Sequence, residues 1–137
     1  MNLSWSFGIN SEIPDNIHNL SNSNDKYIIY STSNTGVIYD WVNSTQKHLR
    51  GHCNKISAIA SSKCKRWVVT ADQGKDCLMI VWEMDIKKLQ VDMPNFCDAI
   101  PIKTFFSIHG DKGARSIKFS ADAKYIISLG CGKSAYF

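Results

Sequence analysis

Short runs of β-branched and aromatic residues recur along this chain, each bounded by clusters of Gly, Asn, Asp and Ser. No segment keeps apolar residues at i, i+3, i+4 and i+7 for three turns, so the pattern does not predict helices. Runs such as Tyr27-Ile28-Ile29, Trp67-Val68-Val69 and Leu78-Met79-Ile80-Val81-Trp82 read as strands between turn signals. The chain is predicted to be all-β.

The runs repeat. Residues 59–71 (IASSKCKRWVVTA) lie without a gap over residues 117–129 (IKFSADAKYIISL), an offset of 58 from Ile59 to Ile117. Each copy is a strand, a polar turn, an aromatic residue (Trp67, Tyr125), two β-branched residues and a hydroxyl (Thr70, Ser128). A weaker copy lies upstream, with Tyr27 placed 40 positions before Trp67 and Val37-Ile38-Tyr39-Asp40 resembling Ile80-Val81-Trp82-Glu83. An interval of 40 is the usual length of a four-stranded propeller blade. The longer offset is then one blade plus an insertion, for which residues 92–101, with two prolines, are the obvious candidate.

This layout predicts an incomplete β-propeller of about two and a half blades of antiparallel four-stranded sheets. The first blade covers 16–50, the second 55–108 with its insertion at 92–101, and the third, unfinished, 114–137. In the third, strands at 115–120 and 124–129 leave no room for two more. Residues 3–7 alternate Leu, Ser, Trp, Ser, Phe and read as an isolated ring-closing strand.

Two dipeptides sharpen the assignment. Gly51-His52 precedes the first strand of the second blade, and Trp82-Glu83 ends its third strand. Together these resemble the Gly-His and Trp-Asp marks of WD40 repeats, with Glu83 where Asp is usual. The resemblance implies a buried network on His52, Thr70, Asp76 and Trp82: a carboxylate accepts the imidazole N–H, the imidazole meets the hydroxyl, and the hydroxyl reaches the indole N–H. Asp76 is the expected carboxylate on spacing, and Asp72 the competing choice. Tyr39-Asp40 stands for Trp-Asp in the first repeat, and His109-Gly110 is inverted in the third. These departures imply a full network in the second blade alone.

Three stretches carry a narrower resemblance: Leu3-Ser4-Trp5-Ser6-Phe7-Gly8; His48-Leu49-Arg50-Gly51-His52 with Ile56-Ser57; and Arg66-Trp67-Val68-Val69-Thr70-Ala71-Asp72 continuing through Gly74-Lys75-Asp76-Cys77-Leu78. With Arg115-Ser116-Ile117 and Ser120, they are similar to the first propeller of the cilia- and flagella-associated WD-repeat family of the calmodulin- and spoke-associated complex. The resemblance implies a scaffold at the base of a radial spoke in a motile axoneme. Its implied partners are radial-spoke or axonemal subunits, a calmodulin-containing complex, and the remaining blades of a longer chain. Two other readings stay open: a truncated propeller without independent activity, and a generic cytosolic WD-repeat adaptor.

Composition narrows the picture further. The 137 residues are 44% apolar and 11% aromatic, enough for a packed core. A formal charge of +4 is spread without a basic stripe, so no nucleic-acid partner is expected. The five cysteines (Cys53, Cys64, Cys77, Cys97, Cys131) contain no metal-type C-x-x-C pair and read as reduced core or loop thiols in a cytosolic compartment, to which the resemblance adds a cytoskeletal, axonemal place. There is no secretory signal pattern, and the apolar runs fall far short of the roughly 20 residues of a membrane helix, so no membrane partner is expected.

No catalytic site, metal or cofactor is expected. Gly132-Lys133-Ser134 after an apolar strand suggests a phosphate loop, but the position for its first glycine is Ile127 and no helix can follow. His18, His48, His52 and His109 are dispersed, without a nucleophile on a sharp elbow. The stripe from Leu78 to Trp82 reads as an inner strand packed between blades. Partner recognition is expected on loops 50–55, 72–76 and 92–101.

Overall fold

The computed structural model describes residues 5–23, 26–84, 100–132 and 135–136. Its first sheet is a four-stranded meander of β1 (His18–Asn19), β2 (Tyr27–Thr32), β3 (Thr35–Asp40) and β4 (Thr45–Leu49). The second is β5 (Ile56–Ser61), β6 (Trp67–Asp72), β7 (Leu78–Glu83) and β8 (Ile100–Phe106). The third joins β9 (Ala114–Phe119), β10 (Ile126–Gly130) and β11 (Ala135–Tyr136). All pairings are antiparallel, with Thr70 opposite Ile80 on one side and Ile59 on the other. This is an all-β WD40-type propeller segment, in which each sheet is one blade.

Alternation along each strand decides which blade a side chain meets. In the second blade Val68, Ile59, Ile80 and Trp82 join Leu20, Ile29, Ile38 and Leu49 of the first blade in one buried cluster. The intervening Val69, Ala71, Ala58, Ala60 and Met79 join Ala114 and Ile117 of the third in another. The second blade is therefore buried on both faces, which is why its strands read as continuous apolar runs. Burial of this kind contributes roughly 25 cal/mol per Å² of apolar surface and supplies most of the cohesion between sheets.

Backbone contacts add register to that packing. Ile56 N–H donates to Ser33 O at 2.9 Å and Gly74 N–H to Asp111 O at 3.0 Å, so each blade is tied to the next. Ser57 Oγ donates to Ala114 O at 2.6 Å between the inner strands β5 and β9. Gly113 has φ 64, and a Cβ there would lie 2.4 Å from Asp72 O. A side chain at this crossing would push the second and third blades apart.

Several expectations are corrected. Leu3 and Ser4 lie outside the described residues, and residues 5–7 do not form a strand. Ser6 is held by the Gln46 side-chain amide, which accepts its N–H at 2.8 Å and donates to its carbonyl at 3.0 Å. The third blade does have a third strand, because the two residues of β11 suffice to pair with Ser128 and Leu129. Of the insertion 92–101, residues 92–99 lie outside the described residues, whereas Ile100 and Pro101 belong to β8. Proline is tolerated there because β8 is an edge strand and its register shifts beside Pro101.

Candidate functional site

The most ordered chemistry lies at the upper end of the second blade. Gly51 has φ 155, and a Cβ on it would approach Ile80 Cδ1 to 3.0 Å and the Trp82 ring to 3.6 Å. Its bare backbone lets the chain cross Trp82 and drop His52 into the blade. Thr70 and Asp72 are two apart on β6, hence on one face of the strand, and both point at that imidazole.

His52 Nδ1 lies 2.9 Å from Asp72 Oδ2, and its Nε2 lies 2.6 Å from Thr70 Oγ1. Trp82 Nε1–H donates to the same hydroxyl at 2.8 Å, while Leu78 N–H donates to Asp72 Oδ1 at 2.7 Å. One assignment of protons satisfies all four groups. Asp72 accepts from Nδ1–H, Nε2 accepts the threonine proton, and the threonine oxygen accepts from the indole. Burial pushes the His52 pKa down, against the opposing pull of the Asp72 carboxylate. The imidazole is therefore neutral at pH 7, and the contact with Asp72 is a charge-assisted hydrogen bond rather than an ion pair.

Asp72, not Asp76, supplies the carboxylate. Asp76 is exposed at φ 56 in the turn before β7, where its side chain is outside the network. Counting six residues back from Trp82 follows the contour of the turn, whereas alternation from Thr70 follows the strand face. The readable signal was Thr70-x-Asp72.

The third blade repeats part of this arrangement. His109 Nε2 lies 2.9 Å from Ser128 Oγ, which stands 58 positions after Thr70. The residue in the place of Asp72 is Gly130, and a Cβ on it would sit 2.6 Å from His109 Nδ1. The imidazole thus uses the space that a side chain would need. The inverted His109-Gly110 pair does not prevent a histidine–hydroxyl contact, so this half of the network extends beyond the second blade.

The first blade uses other residues, which sequence reasoning missed. Buried Asn16 accepts from Ser31 N–H at 2.9 Å and from its hydroxyl at 2.7 Å. Buried Asn10 accepts from Ser33 N–H at 2.8 Å and donates to Ser33 O at 3.1 Å. Asn is a frequent surface residue, and nothing in the repeat marks these two.

The repeat-marking residues divide by role. Burial would raise the Asp40 carboxyl, but hydrogen bonds from Asn43 and from Val42 N–H, with Lys47 nearby, hold it below its ordinary range and cap the turn after β3. Glu83 at the corresponding place instead binds Arg66 at 2.6 Å. The Arg66 guanidinium lies over Trp67 at 5.0 Å, and Tyr39 meets Trp5 edge-on at 6.2 Å. Tyr125 is 67% exposed.

The β5–β6 and β9–β10 turns also match. Trp67 N–H donates to Ser62 Oγ, itself 3.2 Å from Cys64 Sγ. Tyr125 N–H likewise donates to Ser120 Oγ, which donates to Asp122 Oδ1 at 2.6 Å. Cys64 therefore stands where a carboxylate stands 58 positions later, and the Ser62 hydroxyl, followed by Arg66 N–H, lowers its thiol pKa.

Among the described residues, no three His, Cys, Asp or Glu side chains converge to hold a metal, and no helix is long and apolar enough to cross a membrane. Lys133 and Ser134 of the Gly-Lys-Ser triplet lie outside the described residues, and β11 follows.

Residues 1–136 match the model of the CFAP251 N-terminal domain. The chain belongs to that family. It is 39% identical over 129 residues to cilia- and flagella-associated protein 251 of Tetrahymena thermophila, covering 94% of this chain and 12% of the relative. The proteins of the same description from Mus musculus and Chlamydomonas reinhardtii are 35% and 30% identical, again over 94% of this chain but 9% and 14% of their own lengths. This member of the CFAP251 N-terminal domain family thus spans a small part of its relatives.

Solved structures support the same fold. The C-terminal WD40 domain of Sif2 superposes with a TM-score of 0.65 at 12% identity, over 82% of this chain and 30% of that one. The Cps50 (Swd1) β-propeller domain of Myceliophteria thermophila gives 0.61 at 16% identity, over 89% and 34%.

Proposed function

We propose that this CFAP251-family chain is a non-catalytic interaction scaffold in cilia or flagella, part of a radial-spoke-associated assembly on the axoneme. The observation that carries the reading is the family match across residues 1–136, joined to relatives described as cilia- and flagella-associated. The physics agrees with a scaffold. Buried polar groups are used to lock the blade, and the rigid stack presents its loops as a fixed surface. A calmodulin-containing complex at the spoke base is the partner class this reading assigns.

The test is fractionation. A tagged full-length relative is expected to remain with axonemes and to leave them in high salt together with spoke-base components; recovery only as free cytosolic protein would overturn the assignment.

One observation favours a second reading, a propeller segment without independent activity. The outward face of the third blade exposes Tyr125, Ile127 and Leu129 at 67%, 44% and 46%. A large bare apolar face promotes association. A purified chain that stays monomeric and unfolds in one cooperative step would argue against it.

A further inference from the structure

The inner strands of the three blades are unequal. β5 and β9 run six residues each, and β5 accompanies β6 as far as Asp72. β1 has two residues and pairs with Ile28 and Ile29, although β2 continues to Thr32. Beyond β1, the inner edge from Ser31 to Ser33 meets a turn over residues 11–15, in which Asp15 takes φ 54. Ser31 is buried there, so its backbone groups need partners that no strand supplies.

Two buried side-chain amides supply them. Asn16 Oδ1 accepts Ser31 N–H at 2.9 Å, and Asn16 Nδ2 donates to Ser31 O at 3.1 Å. Asn10 treats Ser33 in the same way, at 2.8 and 3.1 Å. An amide carries a donor and an acceptor side by side, as a peptide unit does, so each asparagine stands in for a residue of a paired strand. The two are joined to each other: Asn16 Nδ2 and Ile13 N–H both donate to Asn10 O, at 3.0 and 3.3 Å. The grip on Ser33 also reaches the second blade. Ser33 has φ 50, a left-handed conformation uncommon for a residue with a Cβ, and its carbonyl accepts Ile56 N–H at 2.9 Å. Asn10 Nδ2 lies 3.4 Å from Ile56 O at the same junction.

We propose that residues 10–16 are a latch that replaces the missing part of the first blade's inner strand, opens and closes as one unit, and fixes the junction of the first and second blades by holding Ser33 left-handed. When the latch opens, Ser33 relaxes to an ordinary backbone conformation and its carbonyl turns away from Ile56. Ser31 and Ser33 then lose their inner partners together. The pairs Glu12–Lys55 and Asp15–Lys118 are largely open to solvent, so they follow the latch rather than hold it. The inference stands apart from the axonemal assignment, because it concerns the purified chain alone.

The experiment is native-state hydrogen exchange of the whole chain, followed amide by amide by NMR. In the native chain the Ile13, Ser31, Ser33 and Ile56 amides are expected to share one opening equilibrium within about twofold, more open than that of Val69 in the doubly buried blade. Asn16→Ala touches Ser31 directly, yet should speed exchange at Ser33 and Ile56 as well, by at least about tenfold. Asn10→Ala should speed Ile56 by a similar factor, and adding Ser33→Gly should bring it back to within about twofold of the native rate, because glycine keeps the left-handed backbone without a clamp. An Asn16→Ala effect confined to Ser31, or no rescue by Ser33→Gly, overturns the proposal. Unequal opening of the four amides in the native chain also overturns it, and that measurement decides the matter should the alanine variants fail to fold.

Discussion

The second and third blades carry the same strand–turn–strand pattern, yet only the second completes its polar core. His52 contacts both Thr70 and Asp72, and Trp82 closes the chain of donors. His109 contacts Ser128, but glycine occupies the place of the carboxylate. The difference follows burial. The second blade is packed on both faces, so each polar atom inside it needs a partner, and its imidazole is fixed in one tautomer. Among the described residues the third blade is packed on the face toward the second, while Tyr125, Ile127 and Leu129 are open. A repeat is thus stiffened by its neighbours as much as by its own sequence.

The comparison is most exposed at the carboxylates. Asp72→Ala leaves His52 Nδ1–H and Leu78 N–H buried without their acceptor, and is expected to cost about 3 kcal/mol, whereas Asp76→Ala should stay within about 0.5 kcal/mol. Urea unfolding of the two variants measures both. Equal losses would mean that the network does not rest on Asp72.

Adding a side chain to the third blade should harm it. In Gly130→Ala the new Cβ meets His109, displaces it from Ser128 and costs about 1–2 kcal/mol by the same assay. Gly130→Asp is not expected to restore a complete network, since the carboxylate has no room; a gain in stability would show that the imidazole can move aside.

Acid should loosen both blades by smaller increments. Burial depresses the folded pKa values of His52 and His109, with Asp72 opposing the shift at His52 alone. The unfolded chain then binds more protons, so the stabilising contribution is present above the unfolded value of about 6.5 and is lost as pH falls through that value toward the folded ones. Unfolding free energies that stay level from pH 8 to 5 would contradict this.

The smallest effect tests the turns. Cys64→Asp gives the second blade the carboxylate of Asp122 on the matching donors, and the melting midpoint should rise by about 1–2 °C. A fall would show that the two turns are not interchangeable.

Much of this was legible beforehand because repetition and alternation are local properties. The strands around Trp67 and Tyr125, the double burial of the second blade, and the meeting of His52, Thr70 and Trp82 all follow from a period of two and a recurring unit. Asp72 was legible too, had strand alternation been weighed above distance along the turn. Asn10, Asn16 and Ser31 were not, because their partners lie across a loop and their residue types carry no periodic signal.

Sequence alone determined that the chain is all-β, that its units repeat, and which side chains share a strand face, since these depend on neighbours one or two residues away. Only the tertiary structure decided which carboxylate meets His52, that Gly130 makes way for His109, and that residues 9–17 bridge to the second and third blades. Those outcomes depend on how closely separate sheets approach, and that distance is set by packing between residues far apart in the chain.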